Sequence, residues 1–214
     1  MKKLIIFFLL IIMTKGGAFA MQDIKLPEPT LKGKMTLETA IQKRRSVRSF
    51  VDKDLTLSQI SQILWAAQGI TDKVNGFRSA PSAGALYPIT VLIVKKDGFF
   101  EYVPDNHSLK QLSVSDLRIG LSGAALDQES VKEAPVDIVI AADFRITESK
   151  YGSRSERYVA LEAGHIAQNI LLEATALGLG GVPIGAFYND KVKEALSIEK
   201  DPLYILPIGY SRAL

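Results

Sequence analysis

The chain of 214 residues contains no cysteine, which excludes disulfides, thiol nucleophiles, iron–sulfur clusters and zinc–thiolate sites. Histidine is almost as scarce, with His107 and His165 as the two imidazoles. A transition-metal centre would have to be built mostly from carboxylates, so no metal is expected. There is no basic stripe with interleaved aromatics, and nucleic acid is not an expected partner. The longest apolar run, Leu4 to Met13, falls short of the ~20 residues that span a bilayer, so stable membrane insertion is not expected. With those routes closed, demanding chemistry must come from a bound organic cofactor or from hydroxyls and carboxylates.

The apolar run has a different meaning. Lys2 and Lys3 precede it and Ala18-Phe19-Ala20 ends the segment, which together read as a signal peptide at residues 1–20, cut after Ala20. The expected location is outside the cytoplasm, periplasmic or extracellular. The leader takes Lys2, Lys3 and Lys15 with it, leaving 23 of the 26 Lys and Arg against 23 Asp and Glu. The mature protein is formally neutral. What remains is the length of one domain with a sizeable core.

Residues 21–35, with Pro27, Pro29 and Gly33 and little periodicity, read as an extended N-terminal arm able to lie across a partner, and the domain proper covers 36–214. Thr36 caps a helix carrying Leu37, Ala40, Ile41 and Arg44 at helical spacing, which the chain leaves through Arg44 to Phe50. Thr56 with Gln59 forms a capping box for a second helix that ends at Gly69. Ile89 to Val94, Asp97-Gly98 and Phe99 to Val103 predict a β-hairpin. Two short helical stretches are expected between Ser108 and Ala134, then a buried strand at Val136 to Ala142. Arg154 to Leu177 is the longest predicted helix, with a wide apolar stripe from Ala163 to Ala174 and Gly178 after it. A strand at Val182 to Phe187, a helix at Asp190 to Leu196 and a strand at Tyr204 to Ile208 complete a mixed α+β domain without repeats.

Three stretches carry the chemistry. Lys43-Arg44-Arg45-Ser46-Val47-Arg48-Ser49-Phe50 puts three guanidinium groups and a hydroxyl at a helix exit. Forked donors of that kind grip an anion, although a bare basic run is more often a solvated face. Ser79-Ala80-Pro81-Ser82-Ala83-Gly84-Ala85-Leu86-Tyr87-Pro88 is a loop of small side chains before a strand. It admits a flat ligand close to the backbone, or is simply a tight turn. Gly178-Leu179-Gly180-Gly181-Val182-Pro183-Ile184-Gly185-Ala186-Phe187 leaves the long helix for a strand. Its glycines fail as a dinucleotide fingerprint, which needs them after a strand and before a helix.

In this order and at these separations the three stretches resemble the FMN-dependent nitroreductase superfamily, over essentially all of Thr36 to Tyr210. Ser-Ala-Gly-Ala-Leu-Tyr-Pro, with Glu162-Ala-Gly-His165 and Gln168-Asn169 on the long helix, looks most like its SagB-type branch, which includes dehydrogenases of azoline rings in modified peptides. The resemblance implies a central mixed, mainly antiparallel sheet flanked by helices, in a homodimer with FMN sites at the interface. It implies that Arg44, Arg45, Ser46 and Arg48 hold the FMN phosphate, ribityl chain and pyrimidine edge, with Arg48 nearest the ring. Pro81, Ser82, Ala83 and Gly84 match the loop given to the other subunit, Pro183, Ile184, Gly185 and Ala186 the loop beside flavin N5, and Arg212 a late phosphate contact. His165, Gln168 and Asn169 read as structural residues of the interface.

The implied activity is two-electron hydride transfer at flavin N5, from a small-molecule donor to nitroaromatic or quinone-like acceptors, or dehydrogenation of a small or peptide substrate. The cofactor carries the chemistry and no side chain is an evident catalytic acid or base. NAD(P)H is a doubtful donor for an exported enzyme, and a quinol fits that location better. Two rival readings stand beside this one. The chain could store flavin without turnover, or Gly120-Leu121-Ser122-Gly123-Ala124 could be a hydrolase nucleophile turn, although it departs from the elbow pattern at its last position.

Overall fold

A computed structural model describes residues 23–212, so the expected leader lies outside the described residues. Along the chain the elements are β1 (Ile24–Lys25), α1 (Leu37–Lys43), α2 (Leu57–Gln68), β2 (Ile70–Asp72), β3 (Phe77–Arg78), β4 (Ile89–Lys95), β5 (Gly98–Val103) and β6 (Ser108–Ser113). Then come α3 (Arg118–Ala124), α4 (Glu129–Glu133), β7 (Val136–Ala142), α5 (Phe144–Tyr151), α6 (Ser155–Ala176), β8 (Gly180–Gly181), α7 (Asn189–Leu196) and β9 (Asp201–Gly209).

Local chemistry starts the helices where the sequence indicates. Thr36 accepts from the Thr39 amide at 3.2 Å. The capping box is complete, with Thr56 Oγ1 accepting from the Gln59 amide at 3.2 Å and Gln59 Oε1 from the Thr56 amide at 3.0 Å, which together satisfy two of the orphan donors of α2. Gly69 ends α2 because a Cβ there would fall 2.3 Å from the Trp65 ring.

Seven strands form one sheet in the order β1-β6-β5-β4-β7-β9-β8, every neighbouring pair antiparallel. A parallel bridge between Ser46 and Gly181 makes the sheet mixed at its β8 edge. Alternate residues serve opposite faces: Ile93, Ile138, Ile140, Leu206 and Ile208 pack with Ile63, Leu64, Ile166 and Ile170 of α2 and α6. Leu92, Val94, Val139, Ala141 and Ile205 pack with Leu121, Val131, Val192 and Leu196 of α3, α4 and α7. Covered on both faces, β7 is buried at each position from Val136 to Ala142, which explains why it is apolar at all but one of them. Each large side chain so buried contributes about 1.5–3 kcal/mol. Asp137 is the exception on this strand, fully buried with both carboxyl oxygens lacking a hydrogen-bond partner among the described residues.

The structure departs from the sequence expectations in four places. The two short helices expected between Ser108 and Ala134 are α3 and α4, but residues 108–113 ahead of them form strand β6, which pairs with β5 and buries Leu109. Val182 to Phe187 is not a strand: β8 stops at Gly181, and beyond Pro183, which has no N–H, only Ile184 bridges to Ile205. The hairpin β2–β3 and helix α5 had no clear period to announce them. The arm from Asp23 to Thr30 packs on its own chain. There β1 pairs with β6, the Leu26 amide donates to His107 O at 3.1 Å, and Thr30 exchanges two hydrogen bonds with the Gln62 side chain.

Candidate functional site

The first and third stretches meet at the β8 edge. Arg44 leaves α1 at φ −53°, ψ 123°, and the extended segment beyond it lies along β8, with the Val47 amide donating to Gly181 O at 3.0 Å. The glycines of the third stretch divide by role. A Cβ on Gly180 would fall 2.5 Å from Val47 Cγ2, and one on Gly181 would fall 2.4 Å from Ile208 Cδ1. These two are therefore committed to packing within the protein. Gly185 and Ala186 are exposed, on a loop pinned by the Ile184–Ile205 bridge and by Gln128 Nε2, which donates to Ala186 O at 3.0 Å.

Arg45 turns back on its helix, Nη1 donating to Gln42 O at 2.9 Å and to Arg44 O at 2.8 Å, and so serves the frayed carbonyls of α1. Arg44 is half-buried and Arg48 exposed, and neither guanidinium has an acidic partner among the described residues. Two cations within five residues without an acidic partner among the described residues, with the exposed Ser46 hydroxyl between them, have the donors that an anion such as a phosphate requires. Arg212 is engaged elsewhere: its Nη2 donates to Phe50 O at 2.7 Å and lies 3.3 Å from Glu133 Oε2.

The second stretch does not join the other two within one chain. Ser82 Oγ donates to Glu162 Oε2 at 2.5 Å, and the Tyr87 amide donates to Ser82 Oγ at 2.9 Å. Gly84, Ala85 and Tyr87 all take left-handed conformations (φ 62°, 53° and 50°), and a Cβ on Gly84 would meet Tyr151 Oη at 2.7 Å. The loop is therefore seated beside Glu162 on α6, whereas Gly181 sits against Leu171 of the same helix. Those nine residues correspond to roughly 14 Å along the axis. Pro81 and Gly84 are exposed, and Ser82 and Ala83 half-buried.

Other candidates resolve plainly. His165 and Gln168 are exposed on α6, and Asn169 Nδ2 donates to Ala66 O at 3.0 Å. Ser122 is buried in α3, its hydroxyl donating to Gln128 O at 3.2 Å, with no imidazole beside it among the described residues. A serine–histidine contact exists elsewhere, between Ser61 Oγ and His107 Nε2 at 2.7 Å. That hydroxyl is buried and donates to Pro27 O at 2.5 Å, so the pair ties down the arm. Sequence reasoning missed this tie and the Glu162–Ser82 contact. The second had a signal, an acidic residue at a position of α6 flanked by the buried Val159, Ala163 and Ile166.

No helix among the described residues is long and apolar enough to cross a membrane. The nitroreductase family profile matches residues 41–210. A protein of Methanocaldococcus jannaschii, provisionally named a nitroreductase, is 41% identical over 193 residues, covering 87% of this chain and 96% of its own. An FMN reductase [NAD(P)H] of Bacillus subtilis is 27% identical over 77% of this chain, which spans 59% of that protein. A crystal structure from Ralstonia eutropha JMP134, also provisionally named a nitroreductase, superposes with a TM-score of 0.79 at 29% identity, covering 90% of each chain. A matched profile over most of the domain, a relative of that similarity along almost its whole length and a shared fold place this chain in the nitroreductase family of flavin-dependent oxidoreductases.

Proposed function

We propose that the protein binds FMN against the Arg44–Arg48 segment and works as a homodimer, passing two electrons from a small-molecule donor to an acceptor. The observation that carries this reading is the pair of guanidinium groups, Arg44 and Arg48, without an acidic partner among the described residues, on a segment docked at Gly180 and Gly181. FMN, when bound, supplies the hydride chemistry at N5. Arg44 and Ser46 hold the phosphate, Arg45 keeps the helix exit in shape, and Arg48 places positive charge where the reduced ring needs it. Gly185 leaves the backbone open for close approach of a flat substrate.

Support for the dimer comes from the separation along α6. The Pro81–Gly84 loop stands too far along that helix to sit on the same chain's arginine segment, and two α6 helices running antiparallel would bring each loop to the other's arginines. The exposed Leu161 and Gly164 on α6, with Leu37 and Ile41 exposed on α1, offer an apolar and small-residue surface for that contact, and the exposed His165 and Gln168 add polar groups on the same helix.

Nitroaromatics, quinones and, on the SagB-like motif, ring-bearing peptides are the acceptors or substrates to try. The Bacillus subtilis relative is named for NAD(P)H, but a quinol suits the export implied by residues 1–20. Protein purified from the exported fraction should be yellow, start at Met21 by intact mass and elute as a dimer in light scattering with flavin absorbance. Reduced flavin on the protein should then be reoxidised by a quinone faster than free FMN is. Equal rates would leave a flavin store rather than an enzyme, and a colourless monomer would end the proposal.

A further inference from the structure

Glu162 lies on the buried face of α6, 2% exposed. A carboxylate so placed needs partners, and it has two: Ser82 Oγ at 2.5 Å and Gln68 Nε2 at 3.5 Å. The neighbouring cation, Arg78 on β3, gives Nη1 to Gln68 Oε1 at 2.6 Å and stays one residue removed. Lys150 and Tyr151 of α5 border the same loop at Gly84, and His165, one turn along α6, is exposed. Burial holds Glu162 above the usual carboxylate range, against the lowering influence of Ser82, Gln68 and Arg78.

The Ser82 hydroxyl has one hydrogen to give and two positions to accept. The Tyr87 amide fills one of the accepting positions. With Glu162 ionised, the hydroxyl hydrogen must point inward to the carboxylate. With Glu162 neutral, its own O–H donates to Ser82 Oγ, the second accepting position is filled and the hydroxyl hydrogen is turned outward. The loop holds its shape through this exchange, because Tyr87 is locked under the Arg78 guanidinium at 4.4 Å and its phenol accepts from the Arg78 amide at 3.1 Å.

We propose that Glu162 is a positioning residue that switches Ser82 between an inward and an outward hydrogen-bond donor, and that the outward state grips the FMN held by the partner protomer. This rests on the reading that Pro81–Gly84 completes the other subunit's site. The proton moves between Glu162 and solvent, and no bond in the ligand changes. FMN affinity is therefore highest with Glu162 neutral and weakens as pH rises through its titration.

The test is the FMN dissociation constant of the full chain by fluorescence quenching, from about pH 5 to 9, for wild type, Glu162→Gln, Ser82→Ala and the double variant. A Gln amide donates to Ser82 Oγ and fixes the outward state. Taking the ratio of wild type to variant removes the titration of the FMN phosphate itself, near about pH 6. Wild type should match Glu162→Gln at low pH and bind about 5–10-fold more weakly at high pH, the worth of one hydrogen bond. Glu162→Gln should change nothing in the Ser82→Ala background. A ratio flat across pH, or an equal effect without Ser82, overturns the proposal. If Glu162→Gln does not fold, wild type against Ser82→Ala decides: a wild-type advantage at low pH that vanishes at high pH is expected, and a constant advantage overturns it. Arg44→Ala is the control, because a dissociation constant unchanged by it removes the site reading itself whatever Glu162 does.

Discussion

Val47 and Gly180 touch so closely that a Cβ on the glycine would fall 2.5 Å from Val47 Cγ2 and 2.7 Å from Val47 Cβ. The contact clamps the arginine segment to the end of the sheet. Gly180→Ala should force the two apart at a cost of about 1–3 kcal/mol, seen as a lower urea midpoint, together with weaker FMN binding. Gly185→Ala is the contrast, since its nearest neighbour beyond the adjoining residues is Tyr204 at 3.8 Å and stability should not change. Equal stability of both variants would show that the clamp is not needed.

Arg44→Ala should weaken FMN binding by about 10–150-fold, the worth of a charged hydrogen bond. Arg48→Ala should instead lower the two-electron midpoint potential of the bound flavin by about 30–65 mV, with Arg48→Lys recovering much of it. Titration with FMN bound separates the two effects. A midpoint within a few millivolts of wild type in Arg48→Ala would remove Arg48 from the ring edge.

The arm should loosen in mild acid. Burial lowers the His107 pKa, opposed by the Pro27 carbonyl and Glu28 and assisted by Lys25. Its neutral ring holds Tyr102 Oη at 2.9 Å and Pro27 O at 3.0 Å, while burial pushes the Tyr102 phenol well up, so that it remains a donor. A depressed folded value means that the stabilisation is present above the ordinary histidine pKa of about 6.5 and is lost as pH falls through the folded value. Hydrogen exchange at the Leu26 and Thr30 amides should accelerate over that window, and His107→Gln should flatten the response. Exchange independent of pH, once corrected for intrinsic rates, would dismiss the tie.

Asp137 should behave in the opposite sense. Burial raises its pKa well above the usual range, with Arg118 pulling it down and Asp116 pushing it up. The associated stability is present below about pH 4 and is lost as pH rises through the folded value. Asp137→Val, which removes two unpartnered oxygens, should stabilise the protein at neutral pH by about 1–3 kcal/mol. Urea unfolding that shows no gain would mean that the carboxyl has a partner.

How much of this was legible depends on the range of the interaction that decides each feature. Both helix starts at Thr36 and Thr56, the turn at Asp97-Gly98 and the length of α6 follow from contacts within four residues, and they stand within a residue or two of expectation. Strand β6 and the loss of a strand after Pro183 are set by pairing across the sheet, which no local pattern reports. The arginine segment was visible as a charged run, but its docking on β8 through Ser46 and Val47 was not, because the partner Gly181 lies far along the chain. Glu162 and His107 find their partners 80 and 46 residues away, at Ser82 and Ser61; the position of Glu162 on the apolar stripe of α6 signals that it needs a partner, but no local pattern names either partner.

The strip bearing the cations is also what covers the last strand of the sheet. The arm covers β6 at the opposite end through β1, while Ser46 and Val47 cover β8 by one parallel bridge and one amide bond. An uncovered strand edge is a template for pairing with other chains. The strip continues into Phe50, which is fully buried and bridges to Ser211, with the Arg212 amide donating to Ser49 O at 3.0 Å and the Val51 amide to Tyr210 O at 2.9 Å, so the edge stays covered by the chain's own packing. Protein emptied of flavin should accordingly stay dispersed on storage, because what guards it against strand-to-strand clumping is its own packing and not its ligand.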